Sequence, residues 1–227
     1  AGSTCTIFVS YSPVATGTLT DTIVINYNDG AAAQSSTHDL QGTGVPPAIL
    51  EISEGPGTYD YGIQATTSIT DHTFIVSNTG GFMASVVSGS GLAAPFDFAG
   101  GSYPGAGGTC GANILPSTTC TIVVRYSPTA NGTLSDTIQV DYNNGFTAQA
   151  ATRGVIGTGA NPALLVIDSG PTYDYGTVAT LATLDHMFVV DNTGGVPATG
   201  ISEVGLAAPY SFVGGAFPGT GGTCTTT

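Results

Sequence analysis

GGTCGANILPSTTCTIVVRYSP, running from Gly107 to Pro128, decides how the rest of the chain is read. Here alone a two-cysteine unit, Cys110 and Cys120, is complete and leads straight into an apolar strand. Its second part recurs near the N-terminus as CTIFVSYSP, Cys5 to Pro13, and its first part near the C-terminus as GGTC, Gly221 to Cys224. The unit is whole in the middle and otherwise divided between the two ends.

Working outward, residues 5–52 match 120–167 at a constant spacing of 115, pairing Cys5 with Cys120, Tyr11 with Tyr126, Asp21 with Asp136, Tyr27 with Tyr142 and Pro47 with Pro162. After a one-residue deletion, residues 58–110 match 172–224 at a spacing of 114, pairing Tyr59 with Tyr173, His72 with His186, Pro95 with Pro209 and Cys110 with Cys224. A period of this length is too long for a solenoid unit and suits a β-sandwich domain.

Within one period the strand signals are short and bounded by turns. AILEI from Ala48 precedes a Gly/Pro turn and TYDYG; HTFIVSN (72–78) alternates with period two and stops at Thr-Gly-Gly. ASVVSGS and PFDFAG follow, then the glycine-rich stretch 100–109 and TIVVRYS (121–127). TLSDTIQVDYN (133–143), a turn at Asn143-Asn144-Gly145 and TAQAATRGVIGTG complete the set. No stretch of helical length keeps a 3.6-residue period without glycine interruptions. The expectation is an all-β chain with seven or eight strands per period.

Composition narrows the function. Fifteen acids face two arginines and no lysine, for a formal net charge of −13, so a basic face for nucleic acid is excluded. Charged residues make up 7% and apolar ones 41%, enough for a core, and no apolar run reaches membrane-spanning length. The opening AGSTC has neither an initiator Met nor a signal-peptide apolar region, as expected where an export signal has been removed or lies outside the chain. Abundant Gly, Ser and Thr suit an exported surface protein, and four cysteines at repeated positions favour an oxidising compartment. A Cys110–Cys120 disulfide is the expected pairing and would stabilise by roughly 2–3 kcal/mol through loop closure. Zinc or free thiols are the alternatives, but no C-x-x-C or His pair accompanies the cysteines.

The succession Tyr-Gly, F-x-V-x-N-T-G, C-T-I-x-V-x-Y-x-P, G-x-L-x-D-T-I and a terminal G-T-G resembles ASH-type repeats. These are the Hydin-like, MSP-related immunoglobulin-like domains that also occur in tandem in large bacterial "choice-of-anchor" surface proteins. The resemblance covers the whole chain. It implies an immunoglobulin-like sandwich serving as a structural or adhesive module, and it brings no catalytic residues. TYDYG departs from it, since the family more often has one aromatic before Gly.

A G-T-G plus proline marks each boundary, at Gly42–Pro47 and Gly157–Pro162. The expected fold is therefore a tandem of immunoglobulin-like β-sandwiches: a complete central domain over 47–159, the C-terminal half of a domain over 1–45, and the N-terminal half of one over 161–227. The halves should carry three strands and four or five strands. Together they amount to one domain, and each alone would leave strand edges and a core face unpaired. The links Val45–Pro47 and Ala160–Pro162 are too short to fold one half onto the other, so completion between neighbouring units, head to tail, is expected. That would put Cys224 of one unit beside Cys5 of the next as an intermolecular disulfide. Thr225–Thr227 and Ala1–Thr4 would supply seven residues where the intact unit has nine.

Other candidates are weaker. His72 and His186, each after an Asp, could form a metal or acid/base pair, but a strand position at a sheet surface explains them. No nucleophile and base stand at a telling spacing, so no catalytic residue is assigned and an enzyme is not expected. Tyr59-Asp60-Tyr61 could be a calcium- or sugar-binding turn, which would place calcium at domain junctions. The Asp residues are scattered, however, so no metal ligand is named. Lysine's absence rules out a Lys–Asn isopeptide cross-link. Asn131-Gly132-Thr133 is a glycosylation sequon on an expected turn. Tyr11, Tyr126, Phe98 and Phe212 read as core. The reading is a structural subunit of an extracellular, bacterial filament or surface fibre that partners itself. The alternative is a glycan- or protein-binding adhesin module.

Overall fold

The computed structural model describes residues 2–54 and 57–224, and among these there are strands and no helix. β1 (Gly17–Asn28) and β2 (Ala33–Gly44) form a two-stranded hairpin. Nine strands follow: β3 (Leu50–Ile52), β4 (Thr58–Ala65), β5 (Thr70–Asn78), β6 (Ala84–Ser90), β7 (Phe96–Phe98), β8 (Asn113–Ile114), β9 (Thr119–Tyr126), β10 (Gly132–Asn143) and β11 (Ala148–Ala160). β12 (Leu165–Ile167) and β13 (Val190–Asn192) close the list with another two-stranded pair.

β3 to β11 build two sheets. One has the order β4-β11-β10-β6-β8, the other β3-β5-β9-β7. All pairings are antiparallel except β4 with β11, which is parallel. Period-two alternation is what lets both sheets bury one face. Ile138, Val140 and Tyr142 of β10 point inward, and so do Phe74 and Val76 of β5 and Ile122, Val124 and Tyr126 of β9. Residues of both sheets share a single apolar core, which also takes in Leu50, Tyr61, Phe96 and Val155. Hydrogen bonds cross it as well: the Tyr61 hydroxyl donates to the Val124 carbonyl at 2.8 Å, the Leu50 amide donates to the Tyr142 hydroxyl at 3.2 Å, and the Asn78 side-chain amide donates to the Ile114 carbonyl at 3.0 Å.

The central strands lie where the sequence places them, with two additions. β8 is a two-residue edge strand on β6, unannounced by any pattern, and it raises the expected seven or eight strands to nine. TYDYG is no turn: it lies inside β4, with Tyr61 in the core and Asp60 Oδ1 accepting the Gly62 amide at 2.7 Å. The Gly/Pro turn expected before it falls partly on Gly55 and Pro56, outside the described residues.

The flanking segments carry fewer strands than expected. Residues 2–16 hold none, although CTIFVSYSP matches β9, and 161–224 hold only β12 and β13. The ladders give the reason. Within the central unit, β9 pairs with β5 and β7, β10 with β6, and β11 with β4, so each of these joins a strand before Cys110 to one at or after Thr119. Only β10–β11 lies wholly after the cysteine unit, and its equivalent is the β1–β2 hairpin. β3–β5 lies wholly before it, and its equivalent is β12–β13. A flanking segment forms the pairs whose two strands it owns; the others have no partner strand beside them.

Candidate functional site

The two flanking segments are the candidate site, because they present core residues to solvent. Phe74, Val76, Ile122, Val124 and Tyr126 are fully buried, yet their equivalents Phe188, Val190, Ile7, Val9 and Tyr11 are 36–58% exposed. Tyr11, expected in a core, is thereby corrected: the surface that would cover it is not on its own segment.

Although open, both segments hold the local shape of the intact unit. Asn78, buried in the core, accepts the Ile49 and Gly80 amides on Oδ1 and donates to the Phe82 carbonyl. Asn192 repeats all three bonds with Leu164, Gly194 and Val196. A Cβ on Gly157 would sit 2.6 Å from the Tyr126 ring, and one on Gly42 would sit 2.5 Å from the Tyr11 ring, so the same glycine seats the same tyrosine. Tyr173 stacks on His186 at 3.7 Å much as Tyr59 stacks on His72 at 3.9 Å.

The cysteines follow the same division. Cys110 and Cys120 are disulfide-bonded with Cα atoms 4.8 Å apart, and Cys110 is buried, fastening the glycine-rich loop to the start of β9. Cys5 is free and exposed, and Cys224 is free and partly exposed. Of the spacer between them, Ala1 and Thr225–Thr227 lie outside the described residues.

The links separate the segments. The Ala48 amide donates to the Asn144 carbonyl at the β10–β11 turn, so the chain enters the central unit beside the start of β11 and leaves at its end, Ala160. Twelve residue steps of about 3.3 Å put the two points ~40 Å apart. Both links pack closely against a turn, the first after β5 and the second after β13: a Cβ on Gly80 would meet the Pro47 carbonyl oxygen at 2.1 Å, and one on Gly194 would meet that of Pro162 at 2.1 Å. Asn131, the sequon residue, is exposed beside the second link and donates its amide to Asn161 Oδ1 at 2.8 Å.

His72 is half-buried, stacked on Tyr59, with Nε2 2.8 Å from Glu54 Oε1. His186 has Ser169 where His72 has Glu54, and its buried Nε2 has no hydrogen-bond partner among the described residues. Burial, aided by nearby acidic groups, pushes the Tyr61 phenol far above its ordinary range, and burial raises Tyr103 to about 12. No group of three metal-ligating side chains occurs among the described residues. Sequence reasoning missed Arg153, buried with Nη2 on the Glu54 carbonyl at 2.9 Å; a lone arginine in an alternating strand gives no signal of which carbonyl it meets.

No protein family matches the chain, and no curated protein matches it in sequence. Among solved structures, an ASH/PapD-like domain of human CEP192 is similar at TM-score 0.37 and 14% identity, over 53% of this chain and 92% of that one. The CARDB domain of a Pyrococcus furiosus protein is similar at TM-score 0.31 and 17% identity, over 50% and 95%. The Vibrio cholerae VesB protease is similar at TM-score 0.39 and 10% identity, over 49% of this chain and 32% of the protease, so the likeness spans about a third of that protein. The chain is all-β on its own ladders, and these neighbours include immunoglobulin-like domains.

Proposed function

We propose that the chain is a non-enzymatic structural subunit of an extracellular filament or surface fibre, built by head-to-tail completion of split immunoglobulin-like domains. On this reading residues 47–159 are the complete domain, 1–45 the second half of a domain and 161–227 the first half. One observation carries it. Each flanking segment keeps only the strand pairs it owns, holds the intact unit's local geometry, and exposes the residues that the other segment's equivalents cover. With ~40 Å of sandwich between them, one chain's two segments do not close on each other.

A second copy supplies the complement. The strand Cys5–Tyr11 would insert between segments equivalent to β5 and β7, and β1–β2 would extend the opposite sheet. Such an interface is a domain core cut in two, of the size of obligate interfaces at about 2,000 Å² or more. Cys224 of one unit then lies beside Cys5 of the next, and their disulfide closes the shared domain as Cys110–Cys120 closes the intact one. The disulfide and the acidic, lysine-free composition support an extracellular setting.

Gel electrophoresis in detergent, with and without reductant, tests the reading. A ladder that collapses on reduction to one 22.5 kDa chain is expected. A single 22.5 kDa band under both conditions rejects the intermolecular bond. A very long chain under both conditions would place the same domains in one continuous polypeptide.

A further inference from the structure

The intact unit's ladders supply the register of the shared one, and at two positions outside the shared core cluster the two differ in a matched way, one of them including Val123, which the glycine-rich loop covers. On β5 and β9, Thr73 stands opposite Val123; on β6 and β10, Ser90 stands opposite Gln139. The repeat spacing puts Met187 opposite Phe8 in the first place and Val204 opposite Val24 in the second. Each pair containing a polar residue has become wholly apolar, with one member on each flanking segment. As the chain stands these four side chains face solvent: Phe8 is 97% exposed, Val204 97%, Met187 79% and Val24 54%. Meanwhile the ion pair tying β5 to β9, Asp71 with Arg125, has become Asp185 with Ser10.

Had apolar residues accumulated on one segment alone, they would oppose polar partners in any completed domain. They stand instead at register-matched positions on two segments joined only through the central unit of the chain. Directly opposed side chains lie within about 5.5 Å, and the identity of each sets the fit of the other. Resting on the head-to-tail reading, we propose that Phe8–Met187 and Val24–Val204 are the cross-strand pairs by which one copy's C-terminal segment selects the N-terminal segment of a second copy. The shared domain is told apart from the intact one by apolar pairs at two places where the intact one uses hydroxyl and amide groups, and by the loss of the Asp71–Arg125 ion pair.

The test uses the 227-residue chain in two charged forms, Met187→Lys and Phe8→Glu, followed by sedimentation velocity at several concentrations. Both positions lie outside β3–β11, so an unchanged cooperative melt of that unit reports that each variant is folded. Wild type should form concentration-dependent polymers. Each variant alone should assemble about ten-fold more weakly, because an unpaired charge faces an apolar partner. An equimolar mixture should recover assembly, since Lys then meets Glu at one junction and Met meets Phe at the next. Variants that assemble like wild type, or a mixture no better than either alone, overturn the pairing while leaving head-to-tail assembly intact. A wild-type chain that stays monomeric at all concentrations overturns both.

Discussion

Arg125 grips Asp71 with two nitrogens, Nε at 2.8 Å and Nη2 at 2.9 Å, joining β5 to β9 across the line at which the flanking segments are divided. These hydrogen bonds and the adjacent charge hold the Asp71 carboxyl below its ordinary range. A carboxyl whose folded value is depressed lends stability that is fully present above its unfolded value, near 4, and is lost as pH falls through the folded one. The melting temperature of the central unit should therefore fall on acidification below about pH 4, and Asp71→Asn should remove part of that dependence while lowering stability at neutral pH. Thermal melts from pH 2 to 7 check this; identical profiles for the two proteins would contradict it.

Reducing the Cys110–Cys120 bond should cost about 2–3 kcal/mol, the loop-closure contribution of a ring of this size. Cys110→Ala with Cys120→Ala should then lower the melting temperature by about 10 °C. Urea titrations with and without reductant give the same quantity for the wild type, and the double variant should show no response to reductant beyond that of Cys5 and Cys224.

Asn78→Ala strips the partners from two backbone amides, Ile49 and Gly80, and from the Phe82 and Ile114 carbonyls. Several unsatisfied groups in a buried place should cost about 3 kcal/mol or more. Asn192→Ala, its counterpart, should leave the melt of the central unit unchanged and weaken assembly instead.

Gly157→Ala drives a methyl into the Tyr126 ring, 2.6 Å away, and should destabilise the central unit by about 1–3 kcal/mol. Gly42→Ala makes the same intrusion on Tyr11, where the ring is half-exposed, so the central melt should be untouched. Denaturant midpoints of the two variants, measured side by side, separate these outcomes.

A fragment of residues 47–159 should fold as a monomer, since it owns both strands of every ladder from β3 to β11. Fragments 1–45 and 161–227 should give no cooperative melt. A sharp transition from either would move the boundaries.

β5 was legible because period-two alternation reports a half-buried face whatever the partner is, and β9, β10 and β11 because β-rich runs bounded by turn signals mark strands. β8 was not, since two residues cannot show a period, and Asn113–Ile114 is held by its neighbour β6 rather than by any preference of its own. Nor was the parallel direction of β4, because pairing direction is set by the path of the chain between strands and leaves the alternation unchanged. The flanking segments show the limit most clearly: CTIFVSYSP has the composition of β9 and lacks its hydrogen bonds, because a strand is a property of two segments. The Cys110–Cys120 bond could be read from its spacing; the network around Asn78 could not, as each of its bonds reaches a backbone group whose position only the fold decides.

The placement of the two links at opposite ends of β11 has a mechanical consequence. Tension applied through Ala48 and Ala160 runs along that strand, so its ladders to β10 and β4 are loaded in shear, with their hydrogen bonds sharing the force together. Peeling, in which bonds break one after another, would need the pull to act across the strands. For a chain stretched from its two ends, the line of force and the line of the longest strand coincide.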